Sequence, residues 1–164
     1  MKKKAIPDLD QVGLRLLQLI QSNGRIPIAD LAKQVQLSPS ACARRLRQLE
    51  DGGVICGYTA LVDHASVGLP IMASVRVSLN RKGEDSLAAF EMAISKAPEV
   101  MEAHLMAGRD DYVLRVVVAN LAAYERFLKQ RLTRIPGISQ IESSFMLRQV
   151  TARSALPISI PDAE

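Results

Sequence analysis

Residues 31–55 read LAKQVQLSPSACARRLRQLEDGGVI, and this stretch decides how the first third of the chain folds. Ser38 followed by Pro39 is typical of a helix start, because serine caps free backbone N–H groups and proline in the first turn loses no hydrogen bond. Three apolar residues then recur at spacings of four and three: Cys42, Leu46 and Leu49. This spacing predicts a helix with one buried face that ends before Gly52.

Two shorter patterns before residue 38 predict two more helices. Asp8 can cap the first of them, with Gln11 three positions later able to complete a capping box. The second starts at Pro27 and is separated from the third helix by Gln36 and Leu37 alone. Two helices joined by so short a turn predict a helix-turn-helix domain over residues 1–53.

The outward face of the third helix carries donors suited to DNA. Arginine binds guanine or phosphate, glutamine suits adenine, and the helix N-terminus favours phosphate. The candidate DNA-binding residues are Ser38, Ser40, Ala41, Arg44, Arg45, Arg47 and Gln48. Arg45 lies beside the apolar face, so we expect it to reach backbone phosphate and not bases. A solvated amphipathic helix is the alternative, but three arginines within four positions favour DNA.

Charge and composition narrow the functional class. Residues 1–60 hold nine basic and five acidic side chains, whereas the rest of the chain holds twelve of each, so the net charge of +4 belongs to the first third. This asymmetry favours a polyanionic partner. Aromatic residues make up 4% and Trp is absent, which argues against a stacking platform for single-stranded nucleic acid. No apolar run predicts a membrane span, and the two cysteines suit a reducing cytoplasm, where we expect the protein.

After Gly53 the apolar period changes from helical to alternating. Residues 54–62 are expected to form a strand and residues 63–68 a turn, which together link the two domains. Residues 69–164 then alternate predicted strands and helices in the order βαββαβ, with Asn120 capping the second helix. The predicted fold class is therefore α+β, a helix-turn-helix domain followed by a ferredoxin-like domain with an antiparallel sheet.

Residues 31–55 resemble the DNA-binding segment of the leucine-responsive regulator/AsnC (Lrp/AsnC) family of transcription factors. The resemblance extends over the chain, to MAGRDDY at 106–112 and SSFML at 143–147. It implies a winged helix-turn-helix, a βαββαβ domain that binds an amino-acid effector, and homodimers that can assemble to tetramers or octamers on double-stranded DNA. Gln36 departs from the glycine that such turns often carry, which puts the turn geometry in question.

The resemblance also implies an effector site around the loop between two predicted strands. Asp110 or Asp111 can accept hydrogen bonds from an ammonium group, and backbone N–H groups around Gly108 can donate to a carboxylate. The candidate effector residues are Met106, Gly108, Arg109, Asp110, Asp111, Tyr112, Ser143 and Ser144. Without the resemblance, a polar hairpin turn with an incidental acidic pair explains this loop equally well.

Catalytic and metal motifs are absent from the sequence. Cys42, Cys56, His64 and His104 lack the spacing of a metal site, and Cys42 is expected in a core. We find no glycine-rich phosphate loop or nucleophile elbow, so we expect neither a cofactor nor an enzyme. Two alternatives stay open. The second domain could be an enzyme that pairs His104 with Asp111, or the helical domain could bind protein instead of DNA.

Overall fold

In the computed structural model, which describes residues 9–80 and 83–160, the chain forms two units with separate hydrophobic cores. Of the described residues, 9–60 and 151–160 form one unit, and those between 61 and 150 form the other. We expected the second domain to run from 69 to 164, with 54–68 as a linker. The chain after residue 150 instead groups with the helical unit.

Three helices build the first unit: α1 (Gln11–Ser22), α2 (Ile28–Gln34) and α3 (Pro39–Asp51). Their apolar faces meet in a core whose most buried members are Leu16, Leu31, Ala32 and Cys42, each exposed by 1% or less. The expected place of Cys42 in the core is confirmed. Cys56 lies on the surface, and both thiols are free.

The helix starts follow the capping logic of the sequence, with one correction. Ser38 caps α3, because its hydroxyl accepts a hydrogen bond from the N–H of Ala41 at 3.2 Å. Asp8, the expected cap of α1, lies outside the described residues, as do Lys2–Lys4. The residue that caps α1 is Asp10, whose Oδ1 accepts from the N–H of Gly13 at 2.8 Å.

The turn between α2 and α3 is closed by a residue in the left-handed region. Gln36 has φ +56°, the conformation that glycine adopts without a steric cost. The N–H of the next residue, Leu37, donates to the carbonyl of Ala32 at 3.0 Å and ties the turn to α2. With glutamine in place of glycine the turn keeps its geometry, and the steric strain of the left-handed conformation lies in the backbone of Gln36.

The chain after residue 150 packs along α1. Gln18 Nε2 donates to the carbonyl of Ile158 at 2.8 Å, and the N–H of Leu156 donates to Gln21 Oε1 at 2.6 Å. The Ile158 side chain contacts the core of the three helices. These ten residues, 151–160, are thus a structural part of the helical unit that the sequence pattern did not reveal.

The strand expected over residues 54–62 does not form. No residue between 54 and 70 lies in a helix or strand, whereas the turn expected at 63–68 is present, with the N–H of Leu69 bonded to the carbonyl of His64 at 2.9 Å. Alternation fixes which side chains share a face, but a strand also needs a neighbour for its backbone. The described residues give 54–62 no such neighbour, and Tyr58, Leu61 and Val62 remain exposed.

The second unit is a four-stranded antiparallel sheet with two helices, and it confirms the predicted α+β class. Its elements are β1 (Ile71–Leu79), α4 (Glu84–Ser95), β2 (Val100–Leu105), β3 (Tyr112–Val118), α5 (Leu121–Gln130), a 3-10 turn (Leu132–Arg134) and β4 (Ile138–Phe145). The strand order is β2-β3-β1-β4, as the βαββαβ prediction requires. Asn120 caps α5 as expected, accepting from the N–H of Ala123 at 2.8 Å.

The two faces of the sheet differ in polarity. Side chains of β1 and β3 that pack under the helices form the core, with Ala73, Val75, Val77, Leu114 and Val116 fully buried. The opposite face carries the charged side chains of the strands, because paired antiparallel residues point the same way. None of the helices among the described residues is long and apolar enough to cross a membrane.

Candidate functional site

The recognition face, as we name the outward side of α3, consists of Ser40, Arg44, Arg47 and Gln48. They follow one another at spacings of four, three and one, and all four side chains are exposed. Cys42 and Leu49, on the opposite side of α3, are buried in the core. The helix is therefore fixed by one side and presents the other to solvent. Its thirteen residues give it a length of about 20 Å, enough to lie along a major groove.

The three arginines of α3 are in two different states. Arg45 binds Asp10 through both carboxylate oxygens, with Nη1–Oδ1 at 2.8 Å and Nη2–Oδ2 at 2.5 Å. Arg44 and Arg47 have no ion pair with any described residue. The structure thus holds Arg45 against the start of α1 and leaves the guanidinium groups of Arg44 and Arg47 available for an external anion.

The first turn of α3 offers further polar groups next to the recognition face. The hydroxyls of Ser38 and Ser40 lie 3.2 Å apart, and Ser38 also accepts from the N–H of Ala41. Ser38 and Ser40 are exposed and Ala41 is half-buried. All seven candidate DNA-binding residues therefore lie on α3 or at its cap, and six of them are directed to the recognition face or the first turn. Arg45 is the exception.

Asp10 is a residue that the sequence analysis missed. The N–H of Gly13 and, after it, the guanidinium of Arg45 hold the pKa of this carboxyl below its usual value, against an opposing effect of desolvation. Its signal in the sequence was its place directly before the apolar period of α1, two residues after the expected Asp8. Because it caps α1 and binds α3, it fixes the recognition helix relative to its neighbour.

The candidate effector loop joins β2 to β3. Met106, Gly108 and Arg109 are exposed and Asp110 is half-buried. The hydroxyl of Ser78 donates to Asp110 Oδ1 at 3.5 Å, a long contact. The loop therefore carries a half-buried acidic side chain, Asp110, and an exposed basic one, Arg109.

Asp111 has a different place from Asp110. It is 6% exposed, and its Oδ2 accepts from the N–H of Leu79 at 2.8 Å. Its backbone N–H donates to the carbonyl of Val77 in β1 at 3.0 Å, and its carbonyl accepts from the N–H of Met106, just after β2, at 2.8 Å. The carboxylate of Asp111 therefore links the end of the β2–β3 loop to the end of β1.

The remaining candidate effector residues are spread over both faces of the sheet. Tyr112 is 2% exposed and lies under α4, where its hydroxyl donates to Glu91 Oε1 at 2.9 Å. Ser143 lies on the same face as the helices and bonds to the hydroxyl of Tyr124 at 2.5 Å. Ser144 pairs with Ser74 and belongs to the opposite face. Within one chain, the eight residues therefore do not converge on one point.

His104 and Asp111, the pair that the alternative enzyme would need, each contact other residues. His104 Nε2 lies 3.6 Å from Glu102 Oε2, and Glu102 Oε1 lies 2.6 Å from Arg115 Nη2. These contacts hold His104 in a charged row on the sheet, while Asp111 is bonded to Leu79. Among the described residues, no group of three or more His, Cys, Asp or Glu side chains is placed to hold a metal ion.

Comparison with known proteins identifies both units. Residues 9–55 match a family model described as winged helix-turn-helix DNA-binding, and residues 72–156 match one described as the Lrp/AsnC ligand binding domain. The chain belongs to the Lrp/AsnC family. Membership makes it a DNA-binding transcriptional regulator of the Lrp/AsnC type, as the helix-turn-helix and the ferredoxin-like unit predicted.

Relatives and solved structures of the Lrp/AsnC family match over nearly the whole chain. The Bkd operon transcriptional regulator of Pseudomonas aeruginosa is 43% identical over 151 residues, which cover 92% of this chain and 99% of the relative. The leucine-responsive regulatory protein of Escherichia coli is 35% identical over 96% of each chain. A Neisseria meningitidis regulator, solved in complex with L-methionine, has a TM-score of 0.85 at 37% identity and covers 91% of this chain and 96% of its own.

Proposed function

We propose that this regulator binds duplex DNA through the recognition face of α3 and the cap that precedes it. Arg44, Arg47 and Gln48 would contact bases or phosphates in the major groove. Ser38 and Ser40 would contact phosphate at the start of the helix, and the methyl group of Ala41 would contact a thymine methyl group. The observation that carries this proposal is the absence of ion pairs at Arg44 and Arg47 among the described residues. Arg45 contributes through its bond to Asp10, which positions α3.

The adjacent arginines provide a matched test. In Arg44→Gln, one contact with DNA is removed, so the affinity should fall by roughly tenfold, and where the contact is to phosphate the slope of log binding constant against log salt should also become shallower by about one. In Arg45→Gln, the slope should stay at its wild-type value, because this guanidinium is bonded to Asp10. Fluorescence anisotropy with a DNA fragment selected by the full-length protein measures both. An affinity of Arg44→Gln equal to that of the wild type at every salt concentration would contradict the proposal.

The same titration measures how much of the DNA affinity is electrostatic. Release of counterions from DNA makes its affinity for a basic protein fall steeply with salt. A binding constant that falls steeply with salt in the wild type, and less steeply when arginines of the recognition face are replaced, supports the DNA interface.

We further infer that an amino acid is the effector, bound at the loop between β2 and β3. The relative solved with L-methionine supports the class of ligand. Because the carboxylate of Asp111 is bonded to the backbone of Leu79, Asp110 is the acidic side chain placed to accept from an ammonium group. Arg109 and backbone N–H groups near Gly108 are the donors for the carboxylate, and Met106, Ser143 and Ser144 would complete the site at a subunit junction. Asp111 and Tyr112 are buried within their own unit.

A thermal-shift series tests the effector site. L-methionine and L-leucine are added to the full-length protein, since a ligand bound by the native state alone raises the melting temperature. At a concentration one hundred times Kd, the gain is about 2.7 kcal/mol in the free energy of unfolding. Asp110→Asn should abolish the shift, and Asp85→Asn, an exposed acid on α4 of the same unit, should retain it. A full shift with Asp110→Asn would exclude this site.

A homodimer follows from the number of recognition helices per chain. One recognition face covers only a few base pairs, and a twofold axis places a second one about 34 Å away along the duplex. Sedimentation analysis with and without L-methionine measures the assembly, with dimer, tetramer and octamer as distinct masses.

We propose that the protein is located in the cytoplasm, because a DNA-binding regulator acts where the DNA lies. We also propose that its activity is regulation without catalysis.

A further inference from the structure

A cleft of about 360 Å³ opens between α4 and the edge strand β2, and of the candidate effector residues it is lined by Tyr112 alone. Its floor is apolar, formed by Phe90, Ile94 and the ring of Tyr112, which are exposed by 4% or less. Phe90 and Tyr112 pack with their ring centroids 4.4 Å apart, so the floor is fixed. Met101 and Leu105 of β2, exposed by 48% and 58%, form the apolar rim.

One carboxylate is held at this cleft in a defined orientation. Glu91 Oε1 accepts from the Tyr112 hydroxyl at 2.9 Å. Burial, and then the neighbouring Glu91, raise the pKa of Tyr112 to about 12, so the hydroxyl stays protonated and continues to donate at neutral pH. The other acid at the cleft, Glu102, is bonded to Arg115. Glu91 forms no ion pair with any described residue.

The polarity of the lining selects one class of ligand. No basic side chain is among the described residues that line the cleft, so a carboxylate entering it would be repelled by Glu91, which has no counter-charge among them. A free amino acid is therefore disfavoured here, in contrast to the loop that carries Arg109. An ammonium group with an apolar body satisfies both Glu91 and the floor.

We propose that the α4–β2 cleft is a second ligand site, which binds a small primary alkylammonium ion with its charge on Glu91 and its alkyl chain on Phe90 and Ile94. The volume is at the lower end of the range for small-molecule sites, which suits a chain of a few carbons. The site shares Tyr112 with the candidate effector residues and includes no residue of the DNA interface.

The probe is n-hexylammonium, added to the full-length protein labelled with ¹³C on its methionine methyl groups. The methyl signal of Met101, at the cleft, should shift, and that of Met106, in the effector loop, should stay unchanged. L-methionine serves as the opposite control, because it should leave Met101 unchanged. Hexanoate and hexanol have the same body without the positive charge, so they should bind roughly tenfold more weakly or worse.

Two comparisons separate charge from shape. Glu91→Gln keeps the size of the side chain and an acceptor for Tyr112, and it should weaken hexylammonium binding by roughly tenfold or more. Glu84→Gln, an exposed acid at the start of α4, is the matched control and should bind as wild type. Butylammonium should bind more weakly than hexylammonium by roughly fourfold for each methylene removed.

Three results would overturn the proposal. Hexanoate binding as tightly as hexylammonium would show that the charge of Glu91 has no part in recognition. Wild-type affinity in Glu91→Gln, with its fold verified by circular dichroism, would show the same. A Met101 signal that changes with protein concentration and ignores the amine would show that a second copy of the chain covers the cleft.

Discussion

The carboxylate of Asp10 caps α1 and pairs with Arg45, and replacing it tests whether both interactions stabilise the helical unit. Asp10→Ala removes the cap on the N–H of Gly13 and the two contacts with Arg45. Loss of a cap costs about 1 kcal/mol, and an exposed ion pair contributes about 0.2–1 kcal/mol. The side chains of Arg45 and Asp10 are 39% and 47% exposed, so solvent screens their attraction. The free energy of unfolding should therefore fall by about 1–2 kcal/mol.

Urea unfolding, followed by circular dichroism at 222 nm, separates the two interactions. Asp10→Ser keeps a capping hydroxyl and loses the ion pair, so it should lose less than Asp10→Ala, by about 1 kcal/mol. Arg45→Gln removes the ion pair alone and should resemble Asp10→Ser. In Asp10→Ala the further change Arg45→Gln should cost little, because its partner is already absent. Equal losses in Asp10→Ser and Asp10→Ala would refute the capping role.

The pH dependence of the same variants has a defined sign. The pKa of Asp10 is lowered in the folded state, so its contribution is complete above the pKa of the unfolded chain, about 3.9, and is lost as the pH falls through the lower folded value. The difference in unfolding free energy between wild type and Asp10→Ala should therefore be constant near neutral pH and narrow below about pH 4. A difference that widens in acid would contradict the assignment.

Two further perturbations test the helical unit. Gln36→Gly should raise the free energy of unfolding by up to about 1 kcal/mol, because the backbone strain relieved at φ +56° exceeds the added conformational entropy of the unfolded chain. Urea unfolding measures this free energy. A lower free energy of unfolding in Gln36→Gly would refute the strain at this position. Ending the chain after residue 150 should lower stability by about 1–2 kcal/mol, through the bonds of Gln18 and Gln21 and the packing of Ile158. Hydrogen exchange at α1 should then accelerate, and unchanged protection would show that the contact is weak.

Local patterns in the sequence were sufficient for most of the fold. The apolar spacing of α3, the Ser38 cap and the alternation of β1 each depend on residues within one element, and the structure has all three. Asn120 was identified as a cap for the same reason. The strand over 54–62 failed because pairing requires a second segment of chain, and alternation contains no information about that segment.

The sites were predictable to a smaller extent, because their geometry depends on contacts between distant residues. The sequence places Arg44 and Arg45 side by side, and only the folded chain brings Asp10 to Arg45 across 35 positions. In the same way, Asp110 and Asp111 are equivalent in the sequence, and the hydrogen bond to Leu79 distinguishes them. The residues of both candidate sites stay predictions until binding is measured.

The packing of Ile158 on the helices has a consequence for the order of synthesis. Chains fold as they leave the ribosome, with N-terminal regions first. The three helices emerge early, but Ile158 is translated after the whole sheet unit, so the first unit completes its contacts last. A nascent regulator therefore acquires its full set of α1 contacts only after the ligand-binding half has been made.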